Sequence, residues 1–217
     1  MTNRILITSG PTRQHLDPVR YLTNASSGRM GCALARAALE LGHEVVVVSG
    51  PVEIDYPSAA ERIDVVSTEA MLEACQERFP RCDGMIGTAA PCDYRPIHVE
   101  PHKIRKTGDP LILELEETAD IVASLGSERN HQWLVGFALE TQDHRLRALA
   151  KLEAKSCDLM VLNGPEAMNA PDNHVEVMDQ HGKVVGRFSG TKYLVAQGIL
   201  DVIQQRLIES RESKVES

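Results

Sequence analysis

Short apolar runs of strand length alternate with segments whose apolar residues recur at helical spacing, and this alternation restricts the chain to few folds. Residues 5–8 and 44–49 (EVVVVS) read as buried strands. Between them Gly31, Leu34, Ala35, Ala38 and Leu39 recur at i, i+3, i+4, i+7 and i+8, which predicts an amphipathic helix with Gly42 just beyond its end. Strand, helix and strand in succession form a βαβ unit, hence a parallel sheet with right-handed crossovers. The alternation predicts further strands at 62–66, 84–88, 111–115, 133–137 and 159–162, and helices at 69–79, 119–125 and 145–155. Pro80 is expected to stop the second helix. Residues 175–178 and 184–188 flank the turn Asp179-Gln180-His181-Gly182 as a hairpin, and 191–207 reads as a closing helix. The expected fold is therefore α/β: a Rossmann-like, doubly wound, mostly parallel sheet with a small antiparallel hairpin extension at 172–190. One domain is expected over 1–207, followed by a polar, frayed tail at 208–217.

Composition narrows the function. With 217 residues the chain buries enough surface to fold without a disulfide or metal. Its five cysteines (Cys32, Cys75, Cys82, Cys92 and Cys157) are scattered and never spaced CxxC, which argues against a disulfide framework and for a reducing compartment. The start leads directly into a strand, and no apolar run approaches the roughly 18 residues of a membrane span. A cytoplasmic protein with no membrane partner is the expectation. A net charge of −8, an aromatic content of 4% and a single tryptophan, Trp133, argue against nucleic acid as a partner. Any anion site must be local.

In open α/β sheets ligands bind beyond the carboxyl ends of the strands, and three of those loops are unusual. The first, SGPTRQHLDPVRYLTNASSGRMG, inserts about 17 residues before the helix, too many for a simple dinucleotide-binding turn. Its Ser26-Ser27-Gly28 entry suits either a capped, closely packed helix or a phosphate held by free backbone N–H groups; Arg13, Arg20 and Asn24 add donors beyond what a cap needs. The second, AAPCDYRP, places small residues and Asp93 where a flat base and ribose hydroxyls fit, or is simply a proline-punctuated turn. Cys92 within it has no general base placed by the sequence, so a nucleophile is not expected. The third, His102-Lys103-Ile104-Arg105-Lys106-Thr107-Gly108, is a basic cluster in an acidic chain: a solvated surface, or a lid for phosphates. Lys151 and Lys155, one helical turn apart, are surface decoration or two cations for one anion. Neither GxSxG nor a Walker motif is present, and no HxxxH or HExxH pattern offers a zinc site.

Together these segments resemble the phosphopantothenate–cysteine ligase family, from about Arg4 to Arg206. GPTR…LDPVRYLTNASSGRMG, AAPCDYRP, HKIRK, ADIVAS, GFALET and the Lys151/Lys155 helix stand in that family's order. The chain departs from the family at Pro91-Cys92 and at Asn163-Gly164. The resemblance implies a monofunctional ligase without flavin, a homodimer to which the hairpin contributes, and the substrates 4′-phosphopantothenate and L-cysteine. It implies CTP as co-substrate, with ATP the alternative, and Mg²⁺ on the phosphates with metal ligands unassigned. The acid would be activated as an acyl-cytidylate and then transferred to the cysteine amine, in coenzyme A biosynthesis. By resemblance Asn24 and Arg20 hold the acyl-cytidylate, Lys103 neutralises the α-phosphate and Lys106 supports the lid. Gly10, Ser26, Ser27 and Gly28 cradle phosphates, and Ala89, Ala90 and Asp93 face base and ribose. Ala119, Asp120, Ile121, Val122 and Phe137 complete the nucleotide pocket, with Lys151 and Lys155 at the triphosphate. Two other readings predict different residues. A nicotinamide-dependent oxidoreductase needs a glycine-rich turn directly after the first strand and an acid ending the second, where this chain has Ser49-Gly50-Pro51. A non-catalytic nucleotide sensor would lack Asn24 or the lid lysines, and all are present.

Overall fold

The computed structural model describes residues 2–139, 144–163 and 172–210. Six strands form the parallel part of the main sheet: β1 (Arg4–Ser9), β4 (Glu44–Ser49), β5 (Glu61–Asp64), β6 (Gly84–Gly87), β9 (Trp133–Leu139) and β10 (Leu159–Asn163). Two antiparallel strands, β11 (Asp172–Asp179) and β12 (Val184–Thr191), extend it. The spatial order is β12-β11-β10-β9-β6-β1-β4-β5. Counted along the chain, the parallel strands run 3-2-1-4-5-6, the doubly wound order whose switch point lies between β1 and β6. The expected fold class is present.

Alternation along each strand builds two cores. Ile5, Ile7, Val45, Val47, Val135 and Val161 face α1 (Arg29–Glu40) and α5 (Lys192–Ile203). Leu6, Val46, Val48, Leu134, Met160 and Leu162 face α2 (Thr68–Arg78), α3 (Ile121–Glu128) and α4 (His144–Ala154). Both faces of each central strand are buried, which is why those strands read as continuous apolar runs. Among the described residues no helix is long and apolar enough to cross a membrane.

Several sequence expectations are corrected. Residues 111–114 form no strand, and Ile112 is 84% exposed. The place they would have taken is filled, because β6 pairs directly with β9. Only β8 (Leu115–Glu117) forms, and it pairs antiparallel with β7 (Tyr94–Pro96) outside the main sheet. The long first loop holds a second ribbon, β2 (Arg13–His15) with β3 (Tyr21–Thr23), too short to show periodicity. Pro80 sits in a 3₁₀ turn, Phe79–Arg81, that continues from α2. The hairpin, by contrast, extends the main sheet as expected, since β11 pairs with β10. Past α5 a π-helical turn, Gln204–Ile208, keeps Leu207 and Ile208 buried.

Gly84 lies beside Trp133 in the β6–β9 register, and a Cβ there would stand 2.0 Å from the indole ring. Gly84→Ala should destabilise the fold by about 1–3 kcal/mol through overpacking. The thermal midpoint should fall by about 2–12 °C, read by calorimetry.

Candidate active site

The carboxyl ends of β1, β6, β9 and β10 open onto one cleft of about 740 Å³. One wall is the loop into α1. Gly28 is the N-cap of that helix, in the left-handed region at φ +71°, and no side chain caps the first turn. Ser26 and Ser27 line the cleft without capping, so the capped-helix reading is corrected and the first-turn N–H groups face the cleft without a side-chain partner. No acidic residue occupies that turn either. An uncapped helix N-terminus with glycine at the entry binds anions. The turn is fixed from below by hydroxyls: Ser9 Oγ donates to the Gly28 carbonyl (3.1 Å) and Tyr56 Oη donates to Ser9 Oγ (2.8 Å). Gly31 lets the helix approach β1, since a Cβ there would lie 2.2 Å from Ser9 Oγ.

The facing wall is the loop after β6. Ala89 and Ala90 line it, and Asp93 is exposed at its rim. Asn24 bridges the two walls, its Nδ2 donating to the carbonyls of Ala90 (3.3 Å) and Pro91 (2.8 Å). Cys92 is buried, its N–H donating to Thr12 Oγ1 at 2.8 Å and its thiol directed at the Thr12 and Leu22 carbonyls. Burial pushes that thiol's pKa up, as befits a packed wall residue. Ala119, Asp120, Ile121, Val122 and half-buried Phe137 line the floor and far wall, with Lys151 and Lys155 beside them. Lys155 Nζ pairs with Asp120 Oδ2 at 2.9 Å, while Asp120 Oδ1 accepts the Ala123 N–H as the cap of α3. Burial would raise the Asp120 pKa, but Lys155 and the Ala123 and Val122 N–H groups hold it below the ordinary value.

Four expected residues do not line this cleft. Gly10, at φ +75°, packs against Val52 and the Gly50 carbonyl, and its own carbonyl accepts the Ala90 N–H at 2.9 Å. It couples two loops. Arg20, Lys103 and Lys106 lie elsewhere, around a carboxylate that the sequence reading missed. Asp17 is fully buried and accepts from the N–H groups of Val19 (2.7 Å), Arg20 (2.8 Å) and Ile104 (3.1 Å) and from Arg20 Nη1 (3.0 Å). Arg20 also donates to the Ile104 carbonyl at 3.1 Å. The two motifs are thus clamped together beside exposed Lys103 and Lys106. The first half of this clamp is an Asx turn, legible in Asp-Pro-Val-Arg; its tie to Ile104 is not. Three further residues at the cleft end also escaped the sequence reading: Asn163, Asn173 and Lys192. They come from β10, β11 and α5, and no local pattern joins them.

Burial alone would raise the Asp17 pKa, yet the Ile104, Val19 and Arg20 N–H groups and the Arg20 charge hold it below its ordinary 3.8. A depressed carboxylate stabilises fully above its unfolded value, and that stabilisation is lost as pH falls through the folded one. Thermal midpoints should therefore drop below pH ~4 in the native chain. Asp17→Asn should start lower at neutral pH and respond less to acid, checked by melting curves from pH 7 to 3.

Sheet order and the switch-point cleft define a Rossmann-like α/β domain with a cleft between two loops. The chain belongs to the family described as DNA/pantothenate metabolism flavoprotein C-terminal domain, whose model matches residues 1–207. The coenzyme A biosynthesis bifunctional protein CoaBC of Bacillus subtilis (strain 168) is 47% identical over 167 residues, covering 76% of this chain and 41% of that protein. The chain spans about half the length of the curated relatives it matches. The crystal structure of the C-terminal domain of a CoaBC protein superposes with a TM-score of 0.81 at 38% identity, covering 95% of this chain and 98% of that one. A Cab2 mutant in complex with phosphopantothenate-cysteine shares the fold, with a TM-score of 0.76 at 16% identity over 98% of this chain and 89% of that one.

Proposed function

We propose that this domain joins 4′-phosphopantothenate to L-cysteine, activating the acid with CTP. The observation that carries the reading is Asn24, which bridges the uncapped α1 entry and the small-residue Ala89-Ala90 wall and so stands where phosphate and base subsites meet. In the first step a carboxylate oxygen of the acid attacks the α-phosphorus, and the bond to the β-phosphate oxygen breaks, releasing pyrophosphate. In the second the cysteine amine attacks the acyl carbon, the acyl–phosphate C–O bond breaks, CMP leaves and the nitrogen loses a proton. Preorganised donors stabilise the charge that develops at each step: the α1 N–H groups and Lys151 for the phosphates, and Asn24 at the acyl centre.

Among the described residues no group of three or more His, Cys, Asp or Glu side chains is placed to hold a metal ion. We place Mg²⁺ on the phosphates, where it would supply charge neutralisation. Lys103 and Lys106 act from outside their own chain's cleft. Around them Val19, Tyr21, Tyr94, Ile97, Val99, Leu111, Ile112, Leu113 and Leu115 are all exposed, on or beside the β2–β3 and β7–β8 ribbons. Exposed apolar side chains gathered on two short ribbons suit an association face, and we place the homodimer contact here.

The experiment is pyrophosphate release with 4′-phosphopantothenate and Mg²⁺, comparing CTP with ATP, with and without cysteine. Release with CTP, and condensed product once cysteine is added, is expected. Release with ATP alone would keep the reaction and reassign the base pocket. No release with either would leave a nucleotide-binding domain of the sensor kind.

A further inference from the structure

At the end of the cleft formed by β10 and β11, two cations line the wall, and among the described residues neither has a carboxylate partner. Lys192, the first residue of α5, donates its ammonium to Asn173 Oδ1 at 2.7 Å. Asn173 is 4% exposed and fixed on β11, so its amide aims the lysine. Arg29, the first residue of α1, lines the same cleft. Burial lowers the Lys192 pKa, and the charge of Arg29 on the same cleft wall lowers it further. Among the described residues neither is paired with a carboxylate, and neither helix has an acid in its first turn. In a chain of net charge −8 this is unusual. Thr191 caps α5, its Oγ1 accepting the Leu194 N–H at 3.3 Å, so the attraction rests on the side chains: two cations on one cleft wall, one of them held by a buried neutral amide, are complementary to an anion from outside. Asn173 also stands three strands from β6, about 14 Å along the sheet at the usual strand spacing. That separation puts this end beyond the reach of a base seated at Ala89-Ala90 and leaves it to a more distant group.

We propose that Lys192, aimed by Asn173 and joined by Arg29, forms a subsite for a phosphate group at this end of the cleft. The inference rests on the ligase reading for the identity of that phosphate. It is either a terminal phosphate of the nucleotide, which leaves as pyrophosphate, or the phosphate monoester of 4′-phosphopantothenate. The shared chemistry is a phosphate dianion recognised by an ammonium and a guanidinium.

Calorimetric titration of the full chain separates the two. The ligands are inorganic pyrophosphate, CTP, CMP, 4′-phosphopantothenate and pantothenate, and the proteins are native, Lys192→Gln, Lys192→Arg and Asn173→Ala. Loss of one charge-assisted contact should weaken binding about tenfold to hundredfold. If the subsite holds the terminal phosphates, Lys192→Gln loses that factor for pyrophosphate and CTP, while CMP stays within about twofold. If it holds the monoester, the loss appears for 4′-phosphopantothenate and not for pantothenate. In either case Lys192→Arg should recover most of the affinity, and Asn173→Ala should show a smaller loss of the same pattern. Equal affinities of native chain and Lys192→Gln for every ligand would overturn the subsite, as would failure of the native chain to bind any of the phosphates. Failure of the ligase reading looks different: Lys192-dependent binding of pyrophosphate would persist in a chain that releases none.

Discussion

Asn24→Ala should slow formation of the condensed product by about 10²–10³-fold, the usual effect of removing one preorganised donor from an acyl-transfer site, while CTP affinity stays within about twofold. The asymmetry follows from where Asn24 sits. Its amide spans the two walls through the Ala90 and Pro91 carbonyls, so it stands at the junction where the activated acyl group must lie. The α1 N-terminus and the floor residues, to which we assign the nucleotide, are untouched by the substitution. Because Asn24 is exposed, the variant should also fold normally. Single-turnover quench measurements with and without cysteine separate the steps: pyrophosphate should appear at near-native rate and the acyl-cytidylate should accumulate. Pyrophosphate release and product formation slowed together would move Asn24 from the second step to the first, and unchanged overall activity would remove it from the site.

Lys103→Gln should slow pyrophosphate release itself, again by about 10²–10³-fold, if its charge meets the α-phosphate in the transition state. Lys103 is exposed and buries no core, so the melting temperature should not change. Its position gives a sharper test. It is anchored beside Ile104 by the Asp17 clamp, outside its own chain's cleft and next to the exposed apolar ribbons. In a dimer through that face, Lys103 of one copy serves the cleft of the other. Mixing Asn24→Ala and Lys103→Gln subunits then rebuilds one intact site in each mixed dimer. With random pairing the mixture should recover about a quarter of native activity, although each variant alone is nearly inactive. A mixture that stays inactive would return Lys103 to its own cleft by loop closure.

How much of this was legible in the sequence differs from element to element. β4 was read to the residue because EVVVVS is buried on both faces and bounded by polar and glycine residues. The segment 111–114 was misread for the converse reason: an apolar run suits a strand only if the sheet has a vacant neighbour, and β6 and β9 leave none. Ser26-Ser27-Gly28 was recognised as a helix entry, but not that Gly28 itself takes the cap position and leaves the serines to the cleft. The pairing of Lys155 with Asp120 was also hidden, since it joins the end of one helix to the start of another 35 positions away.

The sequence by itself determined the doubly wound class and the type of most sheet and helix elements, because burial periodicity is a local physical signal. Tertiary structure alone decided which cations face the cleft. Lys192 meets Asn173 and shares a cleft with Arg29 only because β11 pairs with β10 and α5 packs on α1, whereas Arg20 is drawn away by a buried aspartate. Charge has no periodicity along a chain, and its partners are chosen by how the strands are ordered in space.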